Sequence, residues 1–213
     1  VAYMLAAPIV NPIVAVATLA AFRGQGAAEM TMLRLGVGWM VAVIAGMAVH
    51  NLALHHVLRP SVLLTAVSPA GSPRTDTRGL ERWRGALGVA ANDFLDVSFF
   101  FILGAGAAAL LGTAVNQTLL LPFAMEPALA VGSMMALAVL LSLCSTSDAF
   151  VAATFVMFPA VAKLAFLVLG PMIDLKLLFL YSSVFTRRFV AGLAIGLYIL
   201  VGLICLRLTV LGL

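Results

Sequence analysis

Five consecutive residues, Cys144-Ser145-Thr146-Ser147-Asp148, concentrate the chemistry of this chain. One thiol, three hydroxyls and a carboxylate offer donors and acceptors that can replace the water around a small solute. A thiolate at Cys144 would add affinity for a soft metal or metalloid, although one thiol is a poor metal site without a second from elsewhere. The plainer reading of the same run is local: Ser or Asp caps the free amides of the helix that follows. A second constellation is Gly170-Pro171-Met172-Ile173-Asp174. Pro171 breaks or kinks a helix. Asp174 then falls in the first turn of the resumed helix, where a carboxylate suits the dipole. An ionisable residue inside an apolar segment is also a functional candidate in its own right. Asp93 and Asp96 lie three apart and share a helical face. They suit uptake of a coupling proton or a cation, or else they charge a helix start at an interface.

These residues sit in a chain built for lipid. Of 213 residues, 64% are hydrophobic and 9% charged, against about 45–50% and about 25% in soluble domains. Polar groups this scarce cannot cover a surface in water. A crossing helix needs about 20 apolar residues, and charge-free runs occur at 1–22, 35–58, 97–125, 127–147 and 189–206. Alternating strand patterns are absent, which argues against a β-barrel. The net charge of +4 reflects Arg placed between and beside apolar runs, a topology signal rather than a nucleic-acid surface. Two cysteines in apolar segments suggest no disulfide framework. P-loop, HExxH and GxSxG signatures are absent, so neither ATP hydrolysis nor a familiar membrane protease is encoded, and no cofactor is expected.

The elements that must position the candidates are therefore spans. Span A covers roughly 1–22, and span B about 35–57 after a link from Arg23 to Arg34. The loop Arg59–Arg84 carries Arg59, Arg74, Arg78, Arg82 and Arg84 with Pro60, Pro69 and Pro73, so it reads as irregular and cytoplasmic. Span C runs from near Ala90 to Gly112. The next link lacks Lys and Arg, which suits the opposite face. A further span from Pro127 meets the Cys144–Asp148 run, and an apolar piece continues to Phe158. Another runs from Val161 to Phe185 across Gly170-Pro171, and the last from Phe189. Polar runs and Gly-Pro breaks at membrane depth are tolerated where freed backbone groups face protein or a cavity. Lys163 reads as snorkelling to an interface, Cys205 as packing, and His50, His55 and His56 as interfacial.

Residues 2–13, AYMLAAPIVNPI, align with 165–176, AFLVLGPMIDLK. Pro8 then matches Pro171, and Asn11 is the uncharged counterpart of Asp174. The shared Pro-x-x-Asn/Asp element points to a duplication, and duplicated halves with breaks at matching positions are a common build of transporters. Residues 90–164 precede the second copy, whereas almost nothing precedes the first. An upstream segment with its own counterpart of Cys144–Asp148 is therefore expected. The organisation expected is the remainder of a first half over 1–58, a basic loop over 59–89 and a second half over 90–213. Charge placement slightly favours inverted over parallel halves.

At CSTSDAFVAATF followed by LAFLVLGPMIDLK, and again at AAPIVNP, the chain resembles a family of predicted bacterial permeases that includes the YraQ-type and ArsP-type proteins. The resemblance implies a polytopic inner-membrane permease in two halves, with a cysteine-containing motif in each. Cys144–Asp148 would be the second-half motif and Pro171–Asp174 its companion; the first-half cysteine motif is not in this sequence.

The expectation is an all-α bundle with an internal two-fold repeat and broken helices, spanning the bacterial cytoplasmic membrane several times. It would move a small solute through a central site drawn from Pro8, Asn11, Cys144, Ser145, Thr146, Ser147, Asp148, Pro171 and Asp174. Metals, metalloids or organometalloids are the solutes the resemblance implies. Partners are the bilayer, the solute, and a second copy or accessory subunit; nucleic acid is not among them. The alternatives are a membrane-embedded thiol redox protein using Cys144 and a non-transporting subunit of a membrane complex. A topology test follows. Ser72→Cys should stay unlabelled by a membrane-impermeant maleimide in intact cells, and efficient labelling would place the loop outside.

Overall fold

The computed structural model describes residues 2–50 and 126–211, with residues 87, 88, 91, 94, 95 and 98. The basic loop, most of span C with Asp93 and Asp96, His55 and His56 lie outside the described residues. Among the described residues the chain is all-helical. Its elements are α1 (Ala2–Ala6), α2 (Pro12–Ala21), α3 (Ala27–His50), α4 (Pro127–Leu141), α5 (Ser147–Thr154), α6 (Ala160–Leu169), α7 (Leu175–Val184) and α8 (Arg187–Val210).

Two of these helices, α3 and α8, are long and apolar enough to cross a membrane. At 1.5 Å per residue, 24 residues extend about 36 Å, more than the roughly 30 Å of a hydrocarbon core. Only 33% and 22% of their apolar windows are buried in the chain. Met32, Trp39 and Met47 on α3 and Ile195, Ile199 and Leu203 on α8 point outward. Such exposed apolar faces are costly in water and neutral in lipid.

The core is organised around α6. All its residues from Val161 to Leu169 are buried, and the burial continues through Asp174. A helix that is apolar all round belongs in the interior, and α6 packs against α3, α4, α5 and α8. Lys163 is the exception in that run. Rather than reaching an interface, it is buried; its Nζ donates to Gln25 Oε1 at 3.1 Å and lies 5.9 Å from the Phe22 ring centroid.

The link between α2 and α3 is shorter than the sequence suggested. Gly24 and Gly26 adopt φ of 84° and 76°, which glycine tolerates without a Cβ clash. The chain therefore turns within a few residues, and α3 starts at Ala27. Arg34, expected at the end of the link, lies inside α3 and is fully buried. Small residues on the same helix let α1 and the segment after it approach. A Cβ placed on Gly38 would lie 2.6 Å from Ile9 Cγ2, and one on Gly46 would collide with Ala2. Close backbone approach through small residues is the usual packing device in membranes. Gly38→Leu should therefore push Ile9 off α3 and cost about 1–3 kcal/mol. A lowered unfolding temperature in detergent checks this, with Gly36→Leu, at an open position, as the silent control.

Candidate functional site

Helix α4 ends at Leu141 and α5 starts at Ser147, so the Cys144–Asp148 run straddles a gap between helices. Ser142 closes α4 in the left-handed region, at φ 47° and ψ 44°. That conformation is uncommon for a residue with a Cβ, and the Ser142 side chain helps hold it. Its Oγ donates to Val139 O at 3.1 Å and accepts from Leu175 N–H at 3.0 Å. Leu175 is the first residue of α7, so the gap after α4 and the gap between α6 and α7 are bonded to each other.

The second gap is equally well determined. Leu169 ends α6, Gly170-Pro171 turns the chain, and Asp174 opens α7. The sequence placed Asp174 in the first turn; it is the N-cap, with extended backbone, and its Oδ1 accepts from Leu177 N–H. Asn11 does the same for α2, accepting from Ile13 N–H at 2.9 Å. In both cases a short side-chain oxygen takes up an amide that would otherwise have no helical partner.

Asp148 is not a cap of this kind. Thr146 occupies the N-cap of α5 and makes no side-chain capping bond, and Asp148 falls in the first turn of that helix. Asp148 is 2% exposed, and among the described residues its Oδ2 has no hydrogen-bond partner. That oxygen faces the second gap, since a Cβ placed on Gly170 would lie 3.2 Å from it. Glycine leaves room there for the carboxylate. Arg34 and Asp174 both act on Asp148 through space, the first attracting its charged form and the second repelling it.

Arg34 is the residue that sequence reasoning missed. Its guanidinium Nη1 donates to Thr18 Oγ1 on α2 at 2.9 Å, and Nη2 donates to Ser145 O in the first gap at 2.7 Å. Nε has no partner. Thr18, also fully buried, donates onward to Val14 O at 2.7 Å. A signal existed. Met30, Arg34, Val37 and Val41 follow helical spacing, and all four face inward.

The structure thus gathers Ser142, Ser145, Asp148, Gly170, Asp174 and Arg34. Pro171 is buried within the second gap; Ser145, Thr146 and Ser147 are half-buried. Cys144 is exposed, with Sγ 3.4 Å from Thr146 Oγ1. Pro8 and Asn11 flank Ile9, which seats on Gly38 one turn along α3 from Arg34. They border the cluster without a bond to it. Cys205 is fully buried among core side chains. A cavity of about 480 Å³ lies elsewhere, between the far half of α3 and α8, lined by Ile44, Ala45, Gly192 and Leu197 beside Arg188.

Outward apolar faces around buried, polar interhelical gaps define an integral membrane protein of the helical class. The chain belongs to the ArsP_1 family, described as "Predicted permease", whose model matches residues 1–209. It is 35% identical over 191 residues to the UPF0718 protein YcgR of Bacillus subtilis, covering 89% of this chain and 63% of that protein. It is 31% identical over 192 residues to a Streptococcus mutans protein named "Putative two-component membrane permease complex subunit", covering 88% and 61%. The chain therefore spans less than two thirds of the length of these curated relatives. No solved structure gives a significant match.

The capping geometry makes a prediction. Asp174→Ala should lower stability by about 0.5–2 kcal/mol. Asp174→Asn, which keeps an accepting oxygen, should lose only a few tenths. Thermal unfolding of the three proteins in one detergent separates the cap from the charge.

Proposed function

We propose that this chain forms part of a secondary transporter of the bacterial cytoplasmic membrane, crossing it several times and moving a small solute through the cluster between the two gaps. The observation that carries the reading is the bond between the gaps. Ser142 Oγ accepts from Leu175 N–H, and Asp148 Oδ2 faces Gly170, so two departures from helix meet inside one bundle. Non-helical backbone at membrane depth is tolerated where it is buried in protein or lines a hollow, and solute sites of transporters are commonly built that way.

In this reading Ser145, Thr146, Ser147 and Asp148 exchange their hydroxyls and carboxylate for the solute's water, and Cys144 offers its exposed sulfur to a thiol-seeking solute. Metals, metalloids and organometalloids are the classes proposed. The N-caps at Asn11 and Asp174 support a duplication in which α1–α2 and α6–α7 are counterparts. A coupling proton is assigned to Asp93, Asp96 or Asp174. The Streptococcus mutans relative's name favours a second reading, in which the chain works only beside another membrane subunit. The thiol-enzyme alternative has less support, because the neighbour of Cys144 Sγ is a hydroxyl.

The test is uptake and efflux by the full-length protein in proteoliposomes, screened with arsenite, methylarsenite, antimonite, divalent metals and oxyanions. Transport of a thiol-seeking species that falls at least about tenfold in Cys144→Ser is the expected result, since loss of even an outer-shell partner of a metal ligand costs about that much. Transport unchanged by Cys144→Ser removes the sulfur from the site. No transport of any solute by the protein alone, restored by a co-purifying membrane subunit, selects the second reading.

A further inference from the structure

We propose that Arg34 is a positioning residue that ties the first gap of the solute pathway to helix α2, so that the Cys144–Asp148 run moves only when α2 moves relative to it. The inference rests on the proposed transport site and adds to it a residue with no place in the sequence-derived set.

The geometry is specific. Arg34 projects from α3 without exposure and spends one amino group on each of two separate elements: Thr18 Oγ1 of α2 at 2.9 Å and Ser145 O of the gap at 2.7 Å. A planar guanidinium can serve two acceptors in fixed directions, whereas an ammonium is a point donor. Thr18 is itself anchored, donating to Val14 O one turn back. The bond to Ser145 is charge-assisted and short, the stronger kind of hydrogen bond. It lands on the residue after Cys144 and three before Asp148, in a stretch whose N-cap residue makes no side-chain capping bond. Among the described residues, Ser145 O is thus a point where the run is held by a side chain from outside its own helix.

Charge adds a through-space influence. Among the described residues Asp148 is buried with one oxygen unpartnered, and Arg34 attracts its charged form. One side chain thus holds the backbone of the run by a hydrogen bond and acts on its buried acid through space, from a helix that also packs against α1, α2, α6 and α8. Ser142 holds the other side of the gap to α7. Release of Arg34 would leave the Ser142 bond to α7 as the remaining side-chain hydrogen bond described between the gap and another element.

The experiment reads the gap without any solute. Cys144 is exposed and lies beside Ser145, so its rate of alkylation by N-ethylmaleimide reports the run's conformation. The full-length protein in membrane vesicles is labelled over a time course, and the Cys144 peptide is quantified by mass spectrometry. Arg34→Lys keeps the charge but not the fork. It should insert normally, elute as a single detergent-solubilised species, and alkylate at Cys144 roughly tenfold faster or slower than the parent, the weight of one charge-assisted hydrogen bond. Arg34→Met leaves Asp148 uncompensated and should lose folded abundance. The Arg34→Met/Asp148→Asn protein should recover abundance but keep the altered Cys144 rate. Parent-like alkylation in both Arg34→Lys and the double variant would overturn the inference. Because no solute is involved, this result is independent of the transport screen: an altered rate with no transport sinks only the transport reading.

Discussion

A chain that leaves the helix inside an apolar bundle frees amides and carbonyls that water cannot reach, and every other feature near the two gaps follows from satisfying them. Each orphaned buried group costs about 1–3 kcal/mol, so the polar side chains there are not free to drift. Ser142 bonds across to α7, Asp174 and Asn11 cap the helices they begin, and Arg34 reaches the carbonyl of Ser145. The residues that look like chemistry in the sequence thus serve two ends. Some close the backbone account, and Asp148, with an oxygen left over, does not.

Burying Arg34 and Asp148 together is energetically delicate. A charged group taken out of water loses solvation that only well-placed partners return. Arg34 is therefore a strict constraint. It fixes which face of α3 turns inward and where α2 must lie for Thr18 to meet the guanidinium. The small residues of α3 act in concert, because Gly38 admits Ile9 one turn from Arg34 and so brings the segment between α1 and α2 close to the same charge.

The central helix makes the arrangement rigid. With α6 enclosed by α3, α4, α5 and α8, its end at Leu169 delivers Gly170 to the carboxylate of Asp148. Lys163, one turn into the same helix, is satisfied by Gln25 beyond the end of α2. A lysine near a helix start in an apolar chain suggests an exit to the interface; here the α2–α3 turn supplies an acceptor within reach.

Much of this was legible in the residues. Composition, run length and the absence of alternating strand patterns point to an all-helical membrane protein, because helices and closed barrels are the structures that satisfy a backbone in lipid. The helix ends at Ser142–Thr146 and Gly170–Ile173 were also legible, since hydroxyl runs and Gly-Pro carry local signals that need no tertiary context. What only the tertiary structure decided is which of those polar groups meet. Asp148 as a buried carboxyl with an oxygen unpartnered among the described residues, and Arg34 as the buried donor to Thr18 and Ser145, depend on the packing of α2, α3 and α5, elements far apart in the chain. Local pattern encodes where a helix stops. The partners of the groups it frees are set by long-range packing, and an arginine near the start of an apolar run reads the same in sequence whether it faces headgroups or the core.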